Sequence, residues 1–165
     1  MKMQSFEVRP IGVIHTPFTS SDGTPIQPRK ALGIQGEIVL NPMYTDALKD
    51  LVRFDRVWLV YWFHMCREPE LLVKPYMDTT PRGLFATRSP SRFNPIGISS
   101  VRLKSIDENH LFVEDVDVLD GTPLLDIKPY VPEFDCYPEA GAGWLRDKRL
   151  SDGGIADDRF EREHN

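Results

Sequence analysis

A proline-flanked polar loop, ATRSPSRFNPIG at residues 86–97, carries side chains suited to binding an anion. Arg88, Arg92 and Asn94 are hydrogen-bond donors, and the planar fork of arginine matches a carboxylate or a phosphate. The two prolines restrict the backbone, and Gly97 permits close backbone approach. Such a loop loses little entropy when a ligand binds, so it predicts preorganised donors. The alternative is a proline-rich turn whose arginines pair with nearby acids.

A second polar cluster begins in the segment VEDVDVLDGTPLLDIKPY, where carboxylates gather around an Asp-Gly turn. Strand alternation predicts Asp115 and Asp117 on one face, with Phe112 and Val116 on the opposite face. Such carboxylates can bind a cation, hydrogen-bond the hydroxyls of a ribose or accept a proton. The alternative is an ordinary charged outer face beside a tight turn.

Two further positions combine polar chemistry with apolar surroundings. Asp126 and Lys128 lie between leucine and isoleucine in a predicted strand, where charges need partners. The apolar run VWLVYWF at residues 57–63 stops at His64 and Met65. Strand ends often contact ligands, although a core strand that simply ends in polar residues is the commoner case.

Several familiar sites are missing from the sequence. It contains no GxGxxG, GxxxxGK[ST] or GxSxG motif, which argues against a Rossmann, P-loop or nucleophile-elbow site. Its four histidines show no HxH or HxxxH spacing, and its two cysteines form no CxxC pair. The sequence therefore predicts no metal site and no disulfide framework.

The elements that must position these residues are mostly strands. Short segments rich in β-branched and aromatic residues, bounded by turn residues, predict seven strands. They are 6–15, 34–40, 56–64, 83–88, 95–106, 110–119 and 122–131. An apolar stripe at helical spacing predicts one short helix at 45–53. Because this is not an alternating β/α pattern, the sequence predicts a mainly β fold, a small β-barrel with one short helix.

Composition and charge place further limits on the molecule. The length of 165 residues suits one ordinary domain, which we assign to residues 1–132, followed by an acidic, glycine-containing, loosely ordered extension at 133–165. The longest apolar run is too short to span a bilayer, and the N-terminus lacks the apolar core of a signal peptide, which predicts a cytoplasmic protein.

The net charge of −5 is unevenly distributed. Residues 74–104 contain six basic side chains and a single acidic one, Asp78. This stretch predicts a basic island suited to an anionic substrate. A solvated surface cluster is the alternative. The basic residues are Lys74, Arg82, Arg88, Arg92, Arg102 and Lys104.

Five blocks in this order resemble the TsaA-like family, whose characterised members are tRNA methyltransferase O. They are IGVIHTPF, GEIVLNP, LKDLVRFDRVWLVYWFH, GLFATRSPSRFNPIGISSV and DVLDGTPLLDIKPYVP, and the similarity covers about residues 8–132. The resemblance implies a small β-barrel that binds S-adenosylmethionine and associates as a homodimer. It also implies methylation of N6-threonylcarbamoyladenosine next to the anticodon of certain tRNAs.

The resemblance also implies roles for individual residues. It places cofactor contacts at Pro28, Arg29, Lys30, His64, Met65, Arg88, Ile98, Glu114, Asp115, Val116 and Asp117. We assign the cofactor ribose to Asp117. From its position Asp126 is our candidate base for the nitrogen that receives the methyl group, and Arg92, Asn94 and Lys128 are candidates to orient the substrate. No residue is assigned to a metal.

Two other functions stay open at this stage. The first is a non-catalytic module that binds S-adenosylmethionine or a nucleotide. The second is an enzyme that uses the arginines on a phosphorylated small molecule.

Overall fold

Six strands close into an antiparallel barrel in the computed structural model of this chain, which describes residues 4–148 and 154–162. The barrel strands are β1 (Gly12–His15), β2 (Gln35–Leu40), β3 (Arg56–Trp62), β6 (Ile96–Asp107), β7 (His110–Glu114) and β8 (Thr122–Pro129). Their order around the barrel is β1-β2-β7-β6-β3-β8, and β8 pairs with β1 to close it. The prediction of a mainly β fold with a small barrel is confirmed.

The barrel interior is filled by apolar side chains that alternate along the strands. On β3, Val57, Leu59 and Tyr61 are buried, while the residues between them are only partly buried. The same period of two continues on β6, where Gly97, Ser99 and Val101 point inward. One face of each strand therefore builds the core and the other forms the outer surface.

Two elements predicted from the sequence, one helix and one strand, are each replaced by shorter segments. The predicted helix at 45–53 is two 3-10 helices, Pro42–Leu48 and Leu51–Arg53. The break falls at Asp50, whose φ of 66° is left-handed and stops a right-handed helix. The predicted strand at 83–88 is also wrong, because only Arg82–Gly83 is strand (β5, paired with β4 at Leu72–Val73) and a 3-10 turn follows at Leu84–Ala86.

The predicted strand at 110–119 ends early, and this changes which residues share a face. β7 stops at Glu114 because Asp115 has a φ of 69°. Phe112 is therefore exposed on the outer surface, whereas Val116 is fully buried. Our prediction that Phe112 and Val116 lie on one face was wrong, since a left-handed residue between them reverses the alternation.

The C-terminal extension is irregular, and part of it is held firmly. It contains the short helix α1 (Pro132–Asp135) and 3-10 turns at Gly143–Leu145 and Asp158–Phe160. Residues 154–162 pack against loops outside the barrel, with Phe160 buried, so this part is not loosely ordered as predicted. The remainder of the predicted extension, 149–153 and 163–165, lies outside the described residues, and so does His164.

Candidate functional site

The candidate site lies where β3 ends and β6 begins. The two strands are antiparallel, so the C-terminal end of β3 and the N-terminal end of β6 meet. The chain that leaves β7 runs towards the same end and brings Asp117 to Ser99, whose hydroxyl donates to Asp117 Oδ1 over 2.6 Å. Tyr61 Oη lies 3.0 Å from the same hydroxyl. Three polar groups thus form one hydrogen-bonded chain beside the apolar core.

The surroundings of this chain raise the pKa of two of its members. Burial raises the pKa of the Asp117 carboxyl to about 7, although the Ser99 hydrogen bond and the nearby Arg88 charge both oppose the shift. Burial also raises the pKa of the Tyr61 phenol, and the Asp117 carboxylate adds to that effect. Asp117 therefore changes charge near neutrality, whereas Tyr61 stays a neutral hydrogen-bonding group.

Arg88 joins the polar loop to the segment predicted to bind the cofactor. Its guanidinium donates to Gln27 Oε1 over 2.9 Å. Gln27 is the residue before the 3-10 turn Pro28–Lys30, so the predicted contacts at 28–30 and at Arg88 are neighbours. Arg88 is exposed, which leaves other guanidinium donors open to solvent.

A second acidic group, Asp120, lies on the same side of the site. Its Oδ1 accepts from the Thr16 amide and lies 3.1 Å from Nδ1 of His15 at the end of β1. Burial opposes ionisation, but these hydrogen bonds together hold the pKa of Asp120 below its usual value. Burial lowers the pKa of His64, and the Asp120 charge opposes that shift.

The other residues of the predicted 114–117 segment have structural contacts. Asp115 Oδ2 accepts from Arg56 over 2.9 Å, and its Oδ1 accepts from the Gly33 amide. Glu114 pairs with Lys104 over 3.3 Å. Because Val116 is buried against Gly36, Asp117 is the member of the segment whose side chain joins the Ser99 chain.

Three predicted site residues lie on the outer face of the barrel. Asp126 pairs with Val60 of β3, and Val60 pairs on its other side with Ile98 of β6. Lys128 Nζ lies 2.7 Å from Asp126 Oδ2, and the Lys128 side chain is largely exposed while that of Asp126 is about half-exposed. Ile98 is half-exposed and next to the inward-facing Ser99, so this chain does not bring Ile98, Asp126 and Asp117 to one surface.

The polar loop uses part of its donor capacity on itself. Arg92 donates to the Thr87 carbonyl over 3.0 Å, and its guanidinium lies over the Phe85 ring. Asn94 is exposed and accepts from the Ile96 amide through its backbone carbonyl. The loop is therefore braced by Arg92, with Arg88 and Asn94 at its surface.

The basic island predicted at 74–104 is partly neutralised. Arg82 binds Asp78 over 2.7 Å, and Lys104 pairs with Glu114. Lys74 and Arg88 are exposed. A cavity of about 850 Å³ beside β4 contains none of the predicted site residues. Two of the six basic side chains of the island are therefore paired with acids, while Lys74 and Arg88 remain exposed.

Sequence reasoning missed Ser99, Tyr61, Gln27 and Asp120 as members of the site. A serine and a tyrosine inside an apolar strand give no periodic signal, and Asp120 was counted among the carboxylates around the Asp-Gly turn without being assigned to the site. Gln27 stands directly before the predicted 28–30 segment, which was the one available signal. Among residues 4–148 and 154–162, no three potential metal ligands lie together, and no helix there is long and apolar enough to cross a membrane.

The comparisons with known proteins identify the family. The model of the tRNA-methyltransferase O N-terminal domain matches residues 13–136. The chain belongs to this family. A protein of Pyrococcus abyssi described as a probable S-adenosyl-L-methionine-binding protein is 51% identical over 83% of this chain and 74% of its own length.

Relatives with a named reaction and a solved structure are also similar. The tRNA (adenine(37)-N6)-methyltransferase of Escherichia coli is 36% identical over 87% of this chain and 66% of its own length. The crystal structure of TrmO from Pseudomonas aeruginosa superposes with a TM-score of 0.75 at 36% identity, covering 88% of this chain. This member of the tRNA-methyltransferase O family spans 63% of the length of that solved chain.

Proposed function

We propose that this chain is an S-adenosylmethionine-dependent methyltransferase that acts on tRNA in the cytoplasm. Its substrate in this proposal is N6-threonylcarbamoyladenosine next to the anticodon. The names of the relatives support cofactor and reaction. The observation that carries the proposal is the hydrogen-bonded chain of Asp117, Ser99 and Tyr61. This chain lies near the exposed Arg88, in a protein that belongs to a family of methyltransferases.

The residues present match the chemistry of the cofactor. Asp117 could accept hydrogen bonds from ribose hydroxyls, and its negative charge would favour binding of a sulfonium. The open donors of Arg88 suit the carboxylate of the methionine portion. The backbone at Pro28–Lys30 and the strand end at His64 and Met65 complete the proposed set. When bound, the cofactor supplies an electrophilic methyl group.

Methylation of N6 releases a proton, and a side chain or water must accept it. Asp126 remains the base predicted from the sequence, although it lies on the outer face of the barrel. Asp117 is a second candidate, favoured by a pKa of about 7. Arg92, Asn94 and Lys128 are proposed to orient the threonyl carboxylate or the RNA backbone.

A homodimer is part of the same proposal. The outer face is apolar where β3 ends and β6 begins, with Trp58, Val60 and Trp62 beside the half-exposed Ile96 and Ile98. Covering such a face releases water from apolar surface and favours association. Sedimentation of the wild type and of Ile98→Asp tests this, and we expect the variant to be monomeric. A monomeric wild type across the tested concentrations removes the dimer from the proposal.

The alternative function is a module that binds S-adenosylmethionine without transferring its methyl group. It is favoured by the Pyrococcus abyssi relative, which is described by binding alone. Both functions predict cofactor binding, and only one predicts methylated tRNA.

The deciding experiment incubates the protein with methyl-labelled S-adenosylmethionine and tRNA that carries or lacks threonylcarbamoyl groups. We expect label in the modified tRNA, strongly reduced in Asp117→Asn and Arg88→Ala. Asp126→Asn at saturating cofactor tests the first candidate base, since its loss should lower the methylation rate without weakening cofactor binding. A full rate in that variant leaves Asp117 or water as the proton acceptor. Cofactor binding without any label in RNA supports the binding module, and absence of cofactor binding rejects both functions.

A further inference from the structure

Residues 154–162, named here the C-terminal strap, lie across loops outside the barrel. The strap contacts three segments that are far apart in sequence and that each adjoin a proposed cofactor-binding position. These segments are 21–26, 65–67 and 91. The barrel core does not include the strap, since its buried residue Phe160 belongs to a separate small cluster.

The first half of the strap pairs with the segment that precedes Pro28–Lys30. The Ile26 amide donates to the Gly154 carbonyl over 2.9 Å, and the Ala156 amide donates to the Thr24 carbonyl over 2.7 Å. Gly154 also packs against the Lys30 side chain, so closely that a Cβ at residue 154 would lie 2.6 Å from Lys30 Cε. This half therefore restrains the chain that enters the proposed cofactor turn.

The second half of the strap pairs with the segment around the β3 end. The Arg162 amide donates to the Met65 carbonyl over 2.9 Å, and the Arg67 amide donates to the Phe160 carbonyl over 3.0 Å. The Arg162 side chain adds a 2.8 Å hydrogen bond to the Cys66 carbonyl. The strap thus restrains the backbone at Met65 and at the two residues that follow it, directly after His64.

Two side chains connect the strap to the remaining segments. Glu161 Oε2 accepts from the Ser21 hydroxyl over 2.7 Å, and the Ser91 hydroxyl donates to the Phe160 carbonyl over 3.3 Å. Ser91 belongs to the polar loop that carries Arg88. One short segment therefore ties together the three loops that carry Pro28–Lys30, His64 with Met65, and Arg88.

The strap is anchored by one apolar side chain and by one arginine that reaches outside it. Phe160 is 3% exposed and packs against Val73, Leu84 and Tyr76. Arg159 forms a paired hydrogen bond to Asp157, with a shortest contact of 2.6 Å, and bonds the Pro75 carbonyl. Removing Phe160 is expected to release the strap without opening the barrel core.

We propose that the C-terminal strap sets the affinity for S-adenosylmethionine by holding these three loops in their binding arrangement. The inference rests on the proposed function, because it requires that these loops bind the cofactor. Phe160 and Arg162 are positioning residues here, since they act through the loops and do not contact the cofactor. If release of the strap leaves the loops correctly arranged a tenth of the time, the apparent Kd rises about tenfold.

The test measures S-adenosylmethionine binding by calorimetry for the full chain and for Phe160→Ala, Phe160→Leu and Phe134→Ala. We expect a Kd about tenfold higher for Phe160→Ala and near the wild-type value for Phe160→Leu, which keeps an apolar anchor. Phe134→Ala is the matched control, because Phe134 lies in the same extension and is 73% exposed. Hydrogen exchange should speed up at the Ile26 and Arg67 amides and stay unchanged in β3 and β6.

The outcomes separate the inference from the function beneath it. Wild type that binds no S-adenosylmethionine removes the proposed function, and this inference with it. Wild type that binds while Phe160→Ala binds equally well overturns the inference alone. If Phe160→Ala does not fold, Arg162→Ala with Arg146→Ala as control repeats the comparison under the same criteria.

Discussion

Asp117 shows how burial can prepare a carboxylate for a function at neutral pH. Its partners are the Ser99 hydroxyl at 2.6 Å and the Arg88 charge, and both favour the ionised form. Burial outweighs them and raises the pKa to about 7. A bound cation would favour the carboxylate further, so ligand binding and proton release are coupled at this residue.

We expect S-adenosylmethionine to bind more tightly as the pH rises through about 7 in the wild type. The reason is that the Asp117 carboxylate, and not the neutral acid, attracts the sulfonium and accepts from the ribose. Calorimetry between pH 5.5 and about 8.5 checks this. The affinity of the Asp117→Asn variant should change little with pH over that range. An equal pH dependence in both proteins would assign the titration to another group.

The same pKa shift predicts a pH dependence of stability. The folded pKa is raised, so the unfolded chain releases the Asp117 proton first, and the folded state loses relative stability as the pH rises from about 4 to about 7. Over that window the free energy of unfolding of Asp117→Asn should rise relative to that of the wild type by a few kcal/mol. Urea denaturation at several pH values measures the difference, and a constant difference would contradict the raised pKa.

Individual site residues were only partly predictable from the sequence. Asp117 and Arg88 stand in unusual polar blocks, and family resemblance singles them out. Ser99 and Tyr61 lie in apolar strands, where their inward direction depends on strand register. Asp120 gives no separate signal, because the Asp-Gly turn already accounts for an aspartate at that position. Whether a carboxylate is paired or free, as with Asp115 and Arg56, depends on contacts between distant segments.

At the scale of elements, the two central barrel strands β3 and β6 were predicted well because alternation and turn residues are local signals, whereas the strand predicted at 6–15 begins only at Gly12. β3 and β6 were each located to within two residues at either end. Two of the failures occur at single left-handed residues. Asp50 splits the predicted helix and Asp115 ends β7, and neither effect is visible in hydrophobic periodicity.

Gly97 is a position where an element depends on a missing side chain. A Cβ there would lie 2.2 Å from the Tyr61 ring and 2.9 Å from Phe63. We expect Gly97→Ala to lower the free energy of unfolding by about 1–3 kcal/mol, because two packed rings must move. Chemical denaturation measures this.

Gly83→Ala is the matched control for that measurement. A Cβ at residue 83 meets nothing within 4 Å, and its φ of −57° suits alanine. Its stability should equal that of the wild type or slightly exceed it. Equal effects at both positions would mean that the ring contacts at Gly97 do not restrict the barrel.

At the scale of the whole molecule, charge must be considered by location rather than by sum. The net charge of −5 opposes RNA binding, while exposed basic groups such as Lys74 and Arg88 favour it locally. The sequence predicted the basic island, and the structure shows that Asp78 and Glu114 neutralise two of its members. Which charges are left open followed from the fold alone.

We expect the affinity for tRNA to fall steeply as the salt concentration rises. In a plot of log K against log salt concentration, each phosphate contact contributes about −0.9 to the slope. Fluorescence anisotropy with an anticodon stem-loop measures the slope. Lys74→Ala should make it shallower by about one contact, and Lys49→Ala, an exposed lysine outside the island, should not. A flat salt response in the wild type would count against RNA as the substrate.

The closure of the barrel has a consequence for how the molecule is made. β1 pairs with β8, so that Gly12 meets Leu124, and contacts at such separation form late and slowly. The β6–β7 hairpin, joined at Asp107 and His110, can form early. Since His15 and Asp120 meet only across the β1–β8 junction, a nascent or partly folded chain lacks this half of the site. Ligand binding should therefore appear in refolding kinetics only in the final phase, together with completion of the barrel.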